Sequence, residues 1–426
     1  MTAPGEHGLL AGLRVVELAA AHVMFAGKLL ADMGADVIVV EPPGGDAARS
    51  LAPHFETAGG GAGSLWWEHY AGSKRSVVAD LATVEGVAFV RRLVRTADIV
   101  LEGEPPGRLE EMGLGPHACC AQQPSLIWAS VTTFGHSDPR SSEPFSDLTI
   151  LAEGGPVWSC GYDDHSLPPV RGAGHQGYQL GCMFAAMASL AAVVERARSG
   201  RGQHIDVSLV AAANVSTETA SYSWLVARET VQRLTGRHAM PYVTTETQVQ
   251  AADGSWVQTG IAIRDPAAFS VLIDWLTELG ALDEFPDAAL LGLGASGTTI
   301  TADQLGVDPV ATEVVRAGRD ALIFLAERLP GYDFFVGAQR RGLQCGVVLT
   351  PQQVIDDPHL ADRGWVTEVD HPRIDKPARF PGPAFRSSVA PSAPRPAPLP
   401  GEHQREVTAE LEVPSHVHTA EEATPR

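Results

Sequence analysis

Two apolar runs, Arg14-Val15-Val16-Glu17-Leu18 and Asp36-Val37-Ile38-Val39-Val40, flank a stretch from His22 to Met33 whose apolar residues recur at helical spacing. Neither run alternates. A strand with one wet face would alternate, so these predict strands buried on both faces, as in a parallel sheet with right-handed crossovers. Pro42-Pro43-Gly44-Gly45 closes the unit. The pattern then repeats as a helix over 83–96, a strand at Asp98-Ile99-Val100-Leu101, a helix over 109–120 and a strand over 125–131. Strands alternating with helices in this way predict a doubly wound α/β domain.

A Gly/Ser/Pro-rich stretch over 135–144 precedes a long small-residue helix over 178–198, which Ser199-Gly200-Arg201-Gly202 stops. Residues 203–209 read as a strand, and a helix over 210–228 leads into sequence of different texture. From about residue 232 a second domain is predicted. Its clearest signal is a hairpin, Thr247-Gln248-Val249-Gln250 and Trp256-Val257-Gln258-Thr259 across an Asp253-Gly254 turn. Helices over 267–279 and 317–329 follow, and sheet-like sequence returns at Cys345-Gly346-Val347-Val348-Leu349. The proline-rich APSAPRPAPLP predicts an extended arm.

Composition narrows the function. A chain of 426 residues with 44% hydrophobic and 19% charged content can bury a sizeable core in two domains. A formal net charge of −20 with no basic patch repels phosphate backbones and anionic lipid, so no nucleic-acid partner is expected. The N-terminus has no basic leader, and the apolar run over 182–194 is too short to span a bilayer, so no membrane partner and a cytoplasmic location are expected. Five cysteines without a CxxC pair suit reduced thiols, and the 15 histidines show no metal-ligand spacing.

Familiar cofactor loops are missing. Leu18 is followed by Ala19-Ala20-Ala21-His22 instead of a GxGxxG turn, and the one GxGxxG match, over 292–297, reads as a loop. There is no GxSxG elbow and no GK[ST] loop. Two places can carry chemistry. Lys74-Arg75, in a Gly-Ser-Lys-Arg-Ser turn, could hold an anion or could be a solvated loop. His175-Gln176-Gly177-Tyr178 opens the long helix, where free amides and the helix dipole favour negative charge; His175 could equally cap or pack.

Taken in order, the blocks LAGLRVVEL, LLADMGADVIVVEPPGGD, GSKRSVVADL, ADIVLEGEPPGRLEEMGLG, PSLIWASVTTFG, LAAVVERARSGRGQHIDVSL and GLQCGVVLTPQQVIDDPHLADRGWVTEVDHP, with FPGPAFR, resemble the family III CoA-transferases. That family includes formyl-CoA transferase, carnitine CoA-transferase and α-methylacyl-CoA racemase, and the resemblance spans roughly residues 9–411. It implies a large α/β domain with a doubly wound, mostly parallel sheet built from both chain ends, at 1–230 and 346–411. A smaller α+β domain would occupy 231–345, and two chains, identical or related, would interlock as a dimer; the charged end of the chain, 412–426, reads from its composition as a disordered tail.

The resemblance also implies acyl-CoA and a carboxylic acid as partners, with coenzyme A as co-substrate and no tightly bound cofactor or metal. In the family an aspartate attacks the thioester and passes through anhydride and enzyme-CoA thioester intermediates. Counting back without gaps from Val193-Val194-Glu195-Arg196, that aspartate falls on Tyr178, and a phenol cannot form the anhydride. Asp163 and Asp164 lie beyond Pro168-Pro169. His22-Val23-Met24 replaces the family's Ala-Gly-Pro, Gly103 and Pro105 replace an asparagine and an arginine, and Glu111 replaces a common arginine. Lys74 and Arg75 remain and are expected to bind CoA. The racemase pair matches Ser146-Asp147 and Tyr178.

Three expectations follow: an aspartate-less subunit beside a catalytic partner; a stand-alone isomerase-, racemase- or hydrolase-type enzyme using His175, Tyr178 or Asp147; or a non-catalytic CoA-ester-binding protein.

Overall fold

The computed structural model describes residues 8–217, 219–260, 262–374, 377–388 and 394–412. The chain divides into two compact units. The first takes the residues up to 157, 170–221 and those from 357 onward; the second takes 158–169 and 222–356. The middle of the chain thus forms its own unit, with boundaries that differ from the expected 231 and 345, and with 158–169 added. In the second unit Asp163 pairs with Arg237 (2.7 Å), and the Arg233 carbonyl meets His165 Nε2 at 3.1 Å, which explains why this short segment belongs there.

At the centre of the first unit is a six-stranded sheet ordered Arg75–Val78, Asp36–Glu41, Arg14–Leu18, Ile99–Glu102, Ile127–Thr132, His204–Ser208. All five pairings are parallel, with Val16 opposite both Ile38 and Val100. Numbered along the chain the order is 3-2-1-4-5-6, the doubly wound arrangement, with its reversal between Arg14–Leu18 and Ile99–Glu102.

The near-continuous apolar runs now have a physical cause. Val15, Val37, Ile99, Leu101, Ile127 and Ala129 enter one core with the helices Met24–Asp32 and Gln176–Ser199. Their neighbours Val16, Ile38, Val40, Val100 and Trp128 enter the core on the other face, with the helix Val84–Val94 and with Val407. Successive residues point to opposite faces of a strand, so both sets must be apolar.

Both chain ends build this unit. A helix that the sequence did not announce, Gln404–Glu412, follows the proline-rich stretch, and Arg75 fixes it, pairing with Asp36 (2.7 Å), Glu410 (2.7 Å) and Glu406 (3.1 Å). Arg14 adds Asp36 (2.9 Å) and Glu410 (2.7 Å). The expected tail lies outside the described residues except for Glu412, which ends this helix.

Other differences have local reasons. The helix expected over 109–120 is broken into Arg108–Glu111 and Pro116–Gln122, because Gly113 takes a left-handed conformation and Pro116 starts a new first turn after Gly115. The helix expected over 210–228 stops at Asn214 and continues only as short turns to Ala227. The long helix runs over Gln176–Ser199 and is long and apolar enough to cross a membrane by length and composition, a property the shorter run over 182–194 had concealed. Its Cys182, Ala185, Ala186 and Ala192 are buried in the core of the first unit.

In the second unit the hairpin forms as expected, with Val249 opposite Val257, and Gly346–Val347 adds a third antiparallel strand. Helices Pro266–Glu278, Ala288–Ser296, Pro309–Ala326 and Gly331–Arg340 surround Phe269, Leu272, Trp275, Leu322 and Phe334. The third begins eight residues earlier than expected, where Asp308 caps it by accepting from the Val310 and Ala311 amides and Pro309 takes the first position. The GxGxxG match is not a loop. It lies at the end of Ala288–Ser296, where Gly294 packs against the Phe269 ring.

Lys74 and Glu17 form a fully buried ion pair, with Nζ at 2.7 and 2.8 Å from the two carboxylate oxygens and 2.8 Å from the Met24 carbonyl oxygen. A Cβ at position 27 would sit 1.7 Å from Glu17 Oε2, so only glycine leaves room. Removing one partner strands the other charge in the core. Lys74→Met is expected to destabilise the first unit by about 3–5 kcal/mol, and Glu17→Leu with Lys74→Met to recover most of that; urea denaturation followed by tryptophan fluorescence reads both.

Candidate functional site

In a doubly wound sheet, ligands bind beyond the carboxyl ends of the strands, where the strand order reverses. Here that place is the loop after Leu18 and the turn after Glu102. His22 and Gly103 meet there: His22 Nε2 donates to the Gly103 carbonyl oxygen at 3.1 Å. A Cβ on residue 103 would strike Nε2 at 2.2 Å, so the glycine is what admits the imidazole. Packing around the ring pushes the His22 pKa down to about 4, and the side chain is neutral near pH 7.

The head of the long helix reaches the same place. The His22 ring lies 6.0 Å from Tyr178 and 5.0 Å from Phe145, and Cys182 Sγ donates to the His22 carbonyl oxygen at 3.1 Å. Burial drives the Cys182 thiol up to about 12, so it is a packing group and not a nucleophile. His175 stacks on Tyr178 with centroids 5.5 Å apart and planes 6° from parallel. Trp66 meets His175 edge-on at 6.1 Å and Tyr70 at 4.3 Å, and Gln179 Nε2 donates to the Tyr70 hydroxyl at 2.8 Å.

Asp147 sits beneath this aromatic cluster. It is the first residue of the helix Asp147–Gly154, which Ser146 caps, and it is 6% exposed. Its Oδ1 accepts the Tyr178 amide at 3.1 Å, one of the free N–H groups at the start of the long helix. Its Oδ2 accepts no hydrogen bond; Arg171 Nη1 stands 3.5 Å away, too far for a strong one. His175 Nδ1 and Trp66 Nε1 are also buried without a partner. Asp147 Oδ2 thus has only the long Arg171 ion pair, and His175 Nδ1 and Trp66 Nε1 have no protein hydrogen-bond partner, so all three can meet a bound polar group. Burial first, and then the Asp147 charge, raise the Tyr178 pKa, so the phenol stays protonated.

His175, Tyr178 and Asp147 therefore come together. Lys74 and Arg75 do not join them as anion-binding groups. The Lys74 side chain is wholly buried on Glu17, and the Arg75 guanidinium is spent on Asp36, Glu406 and Glu410. Both charges are engaged in ion pairs at 2.7 Å and largely hidden from water, an arrangement that suits structural roles better than the expected hold on CoA. Asp163 belongs to the second unit with Arg237, and Asp164 accepts from the Ser166 hydroxyl in its own turn.

Sequence reading did not place His22, Trp66 or Arg171 among the site residues. His22 carried a usable signal, as a polar residue in the turn after the first strand of a doubly wound sheet. Trp66 carried none, because its helix Leu65–Tyr70 is only six residues long. Among the described residues no three metal-ligating side chains gather into a cluster, and the five cysteines are free thiols.

A pH dependence follows from His22 and His69. His22 and His69 both fall from an ordinary 6.5 to about 4 through burial, with Lys28 adding to the effect at His69. The unfolded chain therefore binds protons that the folded chain refuses. Stability present above pH 6.5 is expected to be lost as pH falls toward 4, and His22→Gln to flatten part of that slope in denaturation curves taken at about pH 7 and pH 5.

The pattern of CoA-transferase family III matches residues 10–291 and 332–404. The chain is 31% identical over 418 residues to succinate–glutarate CoA-transferase of Agrobacterium fabrum, covering 96% of this chain and 97% of that one. It is 28% identical to the subunit BbsE of succinyl-CoA:(R)-benzylsuccinate CoA-transferase of Thauera aromatica, over 94% of each chain. A crystal structure of a CAIB/BAIF family protein from Brucella suis superposes with a TM-score of 0.77 at 26% identity, covering 96% of this chain and all of that one. With its six-stranded parallel sheet and a match over most of its length, the chain belongs to CoA-transferase family III.

Proposed function

We propose that this chain takes part in moving CoA between carboxylic acids, with acyl-CoA as donor, as one subunit of an interlocked dimer whose related partner chain supplies the aspartate. The observation that carries this reading is Tyr178: the residue that the family count puts in the aspartate's place is a phenol, kept protonated by burial and by Asp147. The covalent path needs a carboxylate. Its oxygen attacks the thioester carbon and expels CoA thiolate; the thiolate returns to the aspartyl carbon and releases the first acid. The second acid then repeats both steps in reverse and regenerates the aspartate. No outside oxidant or reductant enters.

Two further observations support the assembly. Met183, Met187 and Val194 on the long helix are 53%, 58% and 66% exposed, an apolar surface of the kind another chain covers. One relative carries the word subunit in its name. Relatives named for succinate, glutarate and benzylsuccinate point to dicarboxylic acids as the substrate class.

A second reading, a stand-alone enzyme, is favoured by one observation. Asp147 Oδ2 is a buried carboxylate oxygen without a hydrogen bond, beside His175 and Tyr178. The test is the mass of each chain after incubation with succinyl-CoA and then borohydride, which reduces an enzyme-CoA thioester to the alcohol. The partner reading expects this chain unchanged and a co-purifying related chain reduced at an aspartate. Reduction mapped to Asp147 would replace it with the second reading, and a pure homodimer that transfers CoA without any reduced aspartate would sink both.

A further inference from the structure

We propose that the second unit holds a separate binding site for an apolar carboxylic acid, anchored by Arg264. Within that unit lies a cavity of about 530 Å³, inside the range typical of small-ligand sites. Ile263, Leu322, Leu343 and Cys345 of the unit's hydrophobic core line it, and Ile300, packed against that core, completes the walls. Ala262, Ala268 and Ala302 also face it, and larger side chains at these points would fill it.

The polar lining consists of Thr259 and Gln344 and of two adjacent strips, Arg264-Asp265 and Thr299 with Thr301, the strips joined by the Ile300 amide donating to the Arg264 carbonyl oxygen at 3.0 Å. Asp265 and the three threonines are already engaged, Thr259 by donating its hydroxyl to the Thr247 carbonyl oxygen at 3.1 Å. Asp265 Oδ1 accepts the Ala267 amide at the start of Pro266–Glu278, and its Oδ2 accepts from the Thr299 hydroxyl at 3.2 Å. The Thr301 hydroxyl donates to Gln304 at 3.0 Å. Arg264, half-buried, forms no ion pair among the described residues.

One uncommitted guanidinium beside an apolar cavity selects one anionic head and a hydrocarbon body. The planar fork matches a carboxylate in two parallel hydrogen bonds. A single cation is too few for the phosphates of a CoA ester. Burial pushes the Cys345 thiol up to about 12, so it offers no thiolate, and with the threonine hydroxyls hydrogen-bonded the site's role is binding.

The test is calorimetric titration of the full-length protein with hexanoate and phenylacetate against hexanamide and phenylacetamide. The acids are expected to bind roughly tenfold more tightly than the amides, the size of one charge-assisted contact. Arg264→Gln is expected to bring the acids down to the amides, Arg264→Lys to restore part of the gap, and Ala268→Trp to abolish binding of both. The proposal is overturned if neither acid binds, if Arg264→Gln keeps the preference, or if Tyr178→Ala, at the head of the long helix, removes binding while Ala268→Trp does not. Circular dichroism of Arg264→Gln, a half-buried position, separates a lost contact from a lost fold.

Discussion

A parallel sheet that hides both faces must be covered on both sides, and most of the first unit follows from that constraint. One face takes the helices Met24–Asp32 and Gln176–Ser199; the other takes Val84–Val94 and, from the far end of the chain, Val407. The return of the C-terminal segment is thus part of the sheet's burial, not an appendage. Arg75 links the two ends electrostatically, since it pairs at once with Asp36 on a central strand and with Glu406 and Glu410 on the last helix. Its remaining exposure is small, so these pairs are screened less than surface ones.

The same topology explains where the polar cluster lies. Strand order reverses between Arg14–Leu18 and Ile99–Glu102, and the connections there leave in opposite directions, opening a crevice at their carboxyl ends. His22 and Gly103 stand at that crevice, and the long helix delivers His175 and Tyr178 to it. The buried Glu17–Lys74 pair lies on the strand beneath. It explains why a lysine in a loop that reads as an anion site is structural: the preceding residue types can suggest a solvated turn, but the partner is 57 positions away in sequence and only the folded sheet brings it near.

Much of the fold was legible because it is written in periodicity. Continuous apolar runs marked the central strands, and an Asp253-Gly254 turn marked the hairpin whose register is Val249 with Val257. What periodicity could not give were features set by contacts remote in sequence. The helix Gln404–Glu412 lies behind a proline-rich stretch and has little apolar character; its charges find Arg14 and Arg75, 396 and 335 positions away. Gly294 sits in a helix that a GxGxxG pattern disguises, because Phe269 needs the space a side chain would take. At the site, Tyr178 was singled out by the family resemblance and by its place at the start of a helix, whereas its bond to Asp147 and its stacking on His175 are contacts that only the folded chain shows.

The head of the long helix has a definite electrostatic demand. Its free amides and the positive end of its dipole favour a negative group, and the natural donor of one would be an acidic side chain in the first turn. The first turn of Gln176–Ser199 has no acidic residue. The negative group comes instead from Asp147, whose Oδ1 accepts the amide of the very residue, Tyr178, where the family count places an aspartate. A carboxylate from a different segment is thus held at the helix terminus, with one oxygen bound to the backbone and the other, 3.5 Å from Arg171 Nη1, without a hydrogen bond. A neutral His22, a protonated Tyr178 and one buried carboxylate leave this terminus able to bind and orient a polar group. Because Oδ1 is committed to the backbone, a covalent step through this carboxylate would have to bring a carbonyl carbon to Asp147 Oδ2.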